Sequence, residues 1–189
     1  MTSANFEKAL VALSNRKFFK NISISRGIER EALRSNLNGV ISKTPHPKSL
    51  GAALTNPCRP TDFAEALIEM VTPTFDTVEG LHSFLENLDF FVKENLNDEI
   101  LWNASMPCEL GDEKQIQIAE YGVSNTGRLK NIYRIGLRER YGSAMQCVSG
   151  IHYNFSLSKK SWQDFLNQNE SNQAEIDKAY FGLIRNVKR

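Results

Sequence analysis

The chain has 189 residues, 41% of them apolar and 24% charged, which fits one globular domain with a sizeable core and excludes disordered or collagen-like classes. Lys and Arg number 23 against 22 Asp and Glu, so no global field draws nucleic acid or an acidic membrane surface, and a charged ligand has to be held locally. Glu7 and Lys8 precede any apolar run and no stretch reaches membrane-spanning length, so a cytoplasmic protein without a membrane partner is expected.

Phe6, Leu10, Leu13 and the Phe18-Phe19 pair recur at helical spacing and predict an amphipathic helix ending near Asn21. Ile22 to Asn36 alternates with period near two around Ile28, Glu29, Arg30 and Glu31, a strand pattern. Gly39 to Pro60 carries Pro45, Pro47, Pro57 and Pro60 and reads as a long irregular excursion of the kind that often lines a site. Thr61 to Pro73 is open between a helix on Phe63, Leu67 and Met70, slightly favoured by propensity, and a strand. Asp76 and Glu79 predict a capping box before a helix on Leu81, Phe84, Leu85, Leu88, Phe91 and Val92.

After the Met106-Pro107 loop, Gly127 to Tyr141 reads as a helix with Leu129, Ile132, Tyr133 and Leu137 on one side and Ser124 or Asn125 as its cap. Ala144 to Leu157 alternates as a strand, with Gln146, Val148, His152 and Asn154 on one face. Two helices follow, Trp162 to Asn167 and Ala174 to Arg189. The second still holds its period at the last residue, which suggests truncation. Cys58, Cys108 and Cys147 lie about fifty and forty residues apart, without the close pairs of zinc or redox sites, and read as small buried hydrophobes in a reducing compartment.

Four groups of residues bear on chemistry. Glu29 and Glu31 share one face of a strand, where their mutual repulsion is relieved by a proton or by a hard cation such as magnesium; with Arg30, Arg34 and Lys43 nearby, a solvated charged edge is the commoner outcome of such a pattern. Asp62, Glu65 and Glu69 form a second acidic group. His152 lies on a polar strand face, where an imidazole needs partners, in the fold or in a ligand. The run Tyr121-Gly-Val-Ser-Asn-Thr-Gly-Arg128 offers amides and cations to phosphate or carboxylate but lacks the Walker lysine, and a helix-capping turn accounts for it equally.

Arg26-Gly-Ile-Glu-Arg-Glu-Ala-Leu-Arg34, Thr61-Asp-Phe-Ala-Glu-Ala-Leu67, Ser105-Met-Pro-Cys108, Tyr121 to Arg128 and Ser149-Gly-Ile-His-Tyr-Asn-Phe-Ser156 together resemble, in the same order, the gammaproteobacterial-type glutamate–cysteine ligase family. The resemblance covers nearly the whole chain. It implies an α+β, glutamine-synthetase-like catalytic fold with a curled antiparallel sheet and flanking helices, and makes residues 1–189 the N-terminal part of one catalytic domain.

It further implies ATP-dependent joining of L-glutamate, through its γ-carboxylate and a γ-glutamyl phosphate, to L-cysteine, the first step of glutathione synthesis, with Mg2+ as cofactor. Glu29, Glu31, Asp62, Glu69 and His152 match the family's metal positions. Phe63, Tyr133, Leu137 and Gln146 match positions around the cysteine substrate, and Arg134 is a candidate phosphate or carboxylate contact. No individual catalytic residue follows. The family enzyme is far longer, so the chain is expected to be a fragment, inactive alone, with unpaired strand edges, from an enzyme that is a monomer when complete. The alternatives are a related carboxylate–amine ligase with another acceptor and a non-catalytic module derived from the enzyme.

Overall fold

The computed structural model describes residues 3–14, 22–166 and 172–188. The chain falls into two compact units, residues 26–154 and residues 1–25 with 155–189.

The larger unit is organised by a four-stranded sheet whose central strand is β1 (Ile24–Asn36). Antiparallel to it run β2 (Leu67–Val71) and β3 (Glu99–Trp102), and β4 (Ile151–Leu157) also pairs with β1. The register sets Glu31 opposite Glu69, Ala32 opposite Ile68, and Leu33 opposite both Leu67 and Trp102.

Because successive strand residues point to opposite faces, this register builds two cores. On one face Ala32, Ile68 and Met70, all fully buried, meet Leu88 and Val92 of α2 (Val78–Glu94). On the other, Leu33 and Leu67 meet Phe63, Ile116, Cys108 and Cys147. Both cysteines are buried there as free thiols, and Cys58 is half-buried; burial pushes the Cys147 thiol up to about 12. Among the described residues no helix is long and apolar enough to cross a membrane.

The α+β class expected from the sequence is the one observed, and three local expectations are corrected. Thr61 to Pro73 is not a helix. A tight turn, in which the Asp62 amide donates to Leu67 O at 3.0 Å, leads into β2 because β1 offers a full hydrogen-bonding edge, which outweighs helix propensity. The helix α2 is capped by Thr77, whose hydroxyl accepts from the Gly80 amide at 3.2 Å, rather than by an Asp76–Glu79 box. Ala144 to Gly150 is not strand: a 3-10 turn at Met145–Cys147 buries Cys147 in the core, and β4 begins only at Ile151.

Within the described residues the other expected helices are present, with ends that differ by up to three residues. The helix α3 (Asn125–Tyr141) starts at a Ser124 cap that accepts from the Gly127 amide at 3.1 Å. A Cβ on Gly127 would run into the Tyr121 carbonyl, so only glycine lets the helix start this close to the preceding chain. In the smaller unit, α1 is Ser3–Ser14, α4 is Lys159–Leu166 and α5 is Gln173–Val187, the last opened by a capping box between Asn172 and Glu175. Trp162 stacks edge-on against Phe165 and Tyr180, with ring centroids 5.9 and 4.8 Å away. The expected first helix end near Asn21, including Phe18 and Phe19, and the expected ends at Asn167 and Arg189 lie outside the described residues.

Candidate active site

Along β1 the face that buries Leu33 changes character within two residues. Glu31 and then Glu29 continue the same alternation, so the apolar core gives way to carboxylates without any break in the strand. The β1–β2 register brings Glu69 opposite Glu31. From β4, Asn154 Nδ2 donates to Glu29 Oε1 at 2.9 Å, and His152 Nδ1 lies 3.2 Å from Glu29 Oε2. The Gly150 amide donates to Glu31 Oε2 at 2.7 Å. A Cβ at Gly150 would stand 3.2 Å from His152 Nε2 and 3.5 Å from Glu31 Oε2, so the glycine lets backbone, imidazole and carboxylate converge.

Asp62 approaches from the turn ahead of β2. Its carbonyl accepts from the Tyr121 hydroxyl at 3.1 Å and from Arg134 Nε. The neighbouring Glu65 is a structural residue instead, accepting from the His46 amide at 2.8 Å and the Glu120 amide at 2.9 Å. The second acidic group seen in the sequence is thereby divided, with Asp62 and Glu69 in the site and Glu65 outside it.

Electrostatics tie the set together. Burial pushes the Glu31 carboxyl above its ordinary value, Asp62 and Glu29 push the same way, and the Gly150 amide and His152 oppose them. Glu69 is raised first by burial and then by Asp62, Glu29 and Glu31, with His152 again opposing. Four carboxylates and an imidazole act on one another over one face of the sheet. Such a donor set suits a hard divalent cation, whose charge would relieve the repulsion the fold has built in. Among the described residues no three His, Cys, Asp or Glu side chains are close enough together to hold an ion, so the donors surround a shared region rather than one coordination point.

The residues expected around a second substrate are differently placed. Phe63 is a core side chain, 1% exposed, and its carbonyl accepts from the Ala119 amide at 2.9 Å. Leu137 on α3 is half-buried against the same core, while Tyr133, one turn earlier, is 59% exposed. Gln146 is half-buried on the 3-10 turn beside Cys147 and is not a strand neighbour of His152. Arg134 donates from Nη1 to Lys130 O at 3.0 Å as well as from Nε to Asp62 O, and its guanidinium lies 4.8 Å over the Tyr121 ring.

The sequence placed Asn154 beside His152 and Tyr121 at the head of the Tyr121–Arg128 run, but gave no individual role to either or to Gly150. Asn154 carried a signal, since it shares period and polarity with His152. Gly150 and Tyr121 act through backbone proximity, which no spacing pattern encodes.

Solved structures share this fold. A crystal structure of glutamate–cysteine ligase from Francisella tularensis in complex with AMP superposes with a TM-score of 0.75 at 42% identity, covering 78% of this chain and 30% of that one. A bifunctional glutathione synthetase from Pasteurella multocida superposes with a TM-score of 0.73 at 33% identity, over 87% and 21%. The fold is therefore one used by a ligase and a synthetase. The chain belongs to the glutamate–cysteine ligase family, whose model matches residues 8–189. The glutamate–cysteine ligases of Saccharophagus degradans and Yersinia enterocolitica are each 48% identical to it over 88% of its length. The chain spans about a third of those relatives, 32% of each.

Proposed function

We propose that residues 1–189 form the N-terminal part of one catalytic domain of an ATP-dependent glutamate–cysteine ligase, and that Glu29, Glu31, Asp62, Glu69 and His152 hold Mg2+. The observation that carries the assignment is the acidic sheet face on which Glu29, Glu31, Glu69 and His152 lie, with Asp62 on the turn ahead of β2, in a chain that matches the family over residues 8–189.

The joined bond is an amide from glutamate's γ-carboxylate to the amine of cysteine. A carboxylate is a poor acyl donor, so ATP first transfers its γ-phosphoryl to it, and the amine then attacks the acyl phosphate, releasing phosphate. Bound Mg2+ supplies charge neutralisation on the phosphates during that transfer. The protein's share is positional. The paired strands β1 and β2 fix Glu29, Glu31 and Glu69 on a rigid element, and Asn154 and the Gly150 amide orient Glu29 and Glu31. Tyr133, Leu137, Gln146 and Phe63 form the side given to cysteine, with Phe63 shaping it from beneath because it is itself core. Arg134 retains a cation near Asp62 for a phosphate or carboxylate. Within the same proposal the complete enzyme is a cytoplasmic monomer.

Expression from the entire reading frame tests the proposal. ADP release should require glutamate, cysteine and Mg2+ together, and Glu29→Gln should abolish most of it while leaving the fold intact. Turnover of Glu29→Gln equal to wild type across Mg2+ concentrations would remove the metal role. Turnover with another amine in place of cysteine, and none with cysteine, would change the acceptor.

A further inference from the structure

Tyr121 is 6% exposed, and its hydroxyl lies 2.8 Å from Thr61 O and 3.1 Å from Asp62 O. A phenol has one proton, so it is shared between two successive carbonyls at the turn that carries Asp62. Arg134 Nε donates to the same Asp62 carbonyl from α3 and lays its guanidinium over the Tyr121 ring, with Lys130 Nζ 5.2 Å from the ring centroid. The Asp62 amide is fixed as well, donating to Leu67 O. Both main-chain polar groups of Asp62 are therefore held, the carbonyl by side chains over 50 residues away in sequence.

The surrounding chain explains how Tyr121 comes to be there. Residues 117–119 run beside residues 63–65, with Glu65 N donating to Gln117 O and Ala119 N to Phe63 O, each at 2.9 Å. This bridging aims the next aromatic residue at Thr61 and Asp62. The Ser124 cap and the close approach at Gly127 then start α3 directly against the Tyr121 backbone. The Asn131 amide donates to Ala119 O at 3.0 Å and holds the helix against the same segment.

We propose that Tyr121 is a positioning residue for the metal: its hydroxyl, backed by Arg134, sets the direction from which the Asp62 carboxylate meets the cation and couples that carboxylate to α3, which carries Tyr133 and Leu137. This rests on the reading of Asp62 as a metal ligand. It extends that reading to the main chain, in the way that partners beyond the immediate ligands commonly tune affinity.

The test uses the protein expressed from its entire reading frame, with Mn2+ as the probe and free Mn2+ followed by electron paramagnetic resonance. Tyr121→Phe keeps the ring and its stacking and removes only the hydroxyl. It is expected to weaken Mn2+ binding about tenfold, to raise the Mg2+ concentration needed for half-maximal turnover, and to leave kcat at saturating Mg2+ near wild type. Thr77→Ala, which loses the α2 cap, should lower thermal stability without moving Mn2+ affinity. Arg134→Lys keeps a cation over the ring without the Nε donor and should also weaken Mn2+; it serves as the second variant should Tyr121→Phe not fold. Mn2+ affinity within twofold of wild type in Tyr121→Phe, or a loss matched by Thr77→Ala, overturns the positioning role. Asp62→Asn separates the two levels. If it binds Mn2+ as wild type does, the metal assignment of Asp62 falls and the positioning role with it. If it loses binding while Tyr121→Phe does not, the positioning role alone falls.

Discussion

The two faces of β1 treat charge in opposite ways. Arg30 points toward α2, where it pairs with Asp89, which also accepts from Lys93. Burial works against the Asp89 charge, but the Lys93 and Arg30 hydrogen bonds outweigh it and hold the carboxyl below its usual range. Glu29 and Glu31, the residues on either side of Arg30, point the other way toward Glu69, Asp62 and His152, and burial first, then the neighbouring carboxylates, hold Glu31 and Glu69 above their usual range against the opposing His152. The sheet thus sorts an alternating Glu-Arg-Glu run into a neutralised structural face and a face of uncompensated acid.

The largest effect that sharpens this contrast belongs to the neutralised face. Met70→Ala should cost about 2–5 kcal/mol, measured by denaturant unfolding, because Met70 is fully buried between β1 and α2. A cost as small as that of a surface change would break the picture of α2 as the closed side. Asp89→Asn comes next, at roughly 1 kcal/mol, since its side chain is 20% exposed. Its depressed carboxyl adds stability above the ordinary aspartate range, and that contribution is lost as pH falls through the depressed value; the variant should lack this acid limb.

On the acid face the sign reverses. Glu69 has a raised carboxyl, so its folded form favours the proton, and the metal-free protein should lose stability as pH climbs from the ordinary glutamate range to the raised value. Glu69→Gln should flatten that slope and leave neutral-pH stability equal or slightly higher, while Mn2+ binding is lost. A Glu69→Gln protein that unfolds more readily at neutral pH would mean that the carboxylate serves the fold. The smallest expected change in stability is Gly150→Ala, where the added methyl displaces the His152 ring by a few tenths of an ångström. Metal affinity should fall in that variant with the melting temperature nearly unchanged.

Much of this was legible in the sequence, for reasons that differ by element. The period-two run of β1 and the apolar stripe of α2 encode their own structure, and the alternation that makes β1 a strand also puts Glu29 and Glu31 together. Glu69 was misread in its local structure because Thr61 to Pro73 satisfies either period; only the edge of β1 decides between them. His152 and Asn154 were correctly set on one face, yet the start of β4 was not, since the burial of Cys147 folds residues 145–147 into a turn that alternation does not signal. Tyr121 was noticed only as the head of the Tyr121–Arg128 run, because its own contact is with carbonyls nearly sixty residues earlier.

The depth of Cys147 has a consequence for a protein proposed to handle a free thiol substrate. Burial pushes its own thiol up to about 12 and raises Cys108 beside it as well, so both disfavour the thiolate at neutral pH. Attack on a disulfide requires that thiolate, so cystine and mixed disulfides arriving with the cysteine pool find no nucleophile in this core. The core around Leu33, Leu67 and Phe63 thus carries two thiols held in their protonated, non-exchanging form.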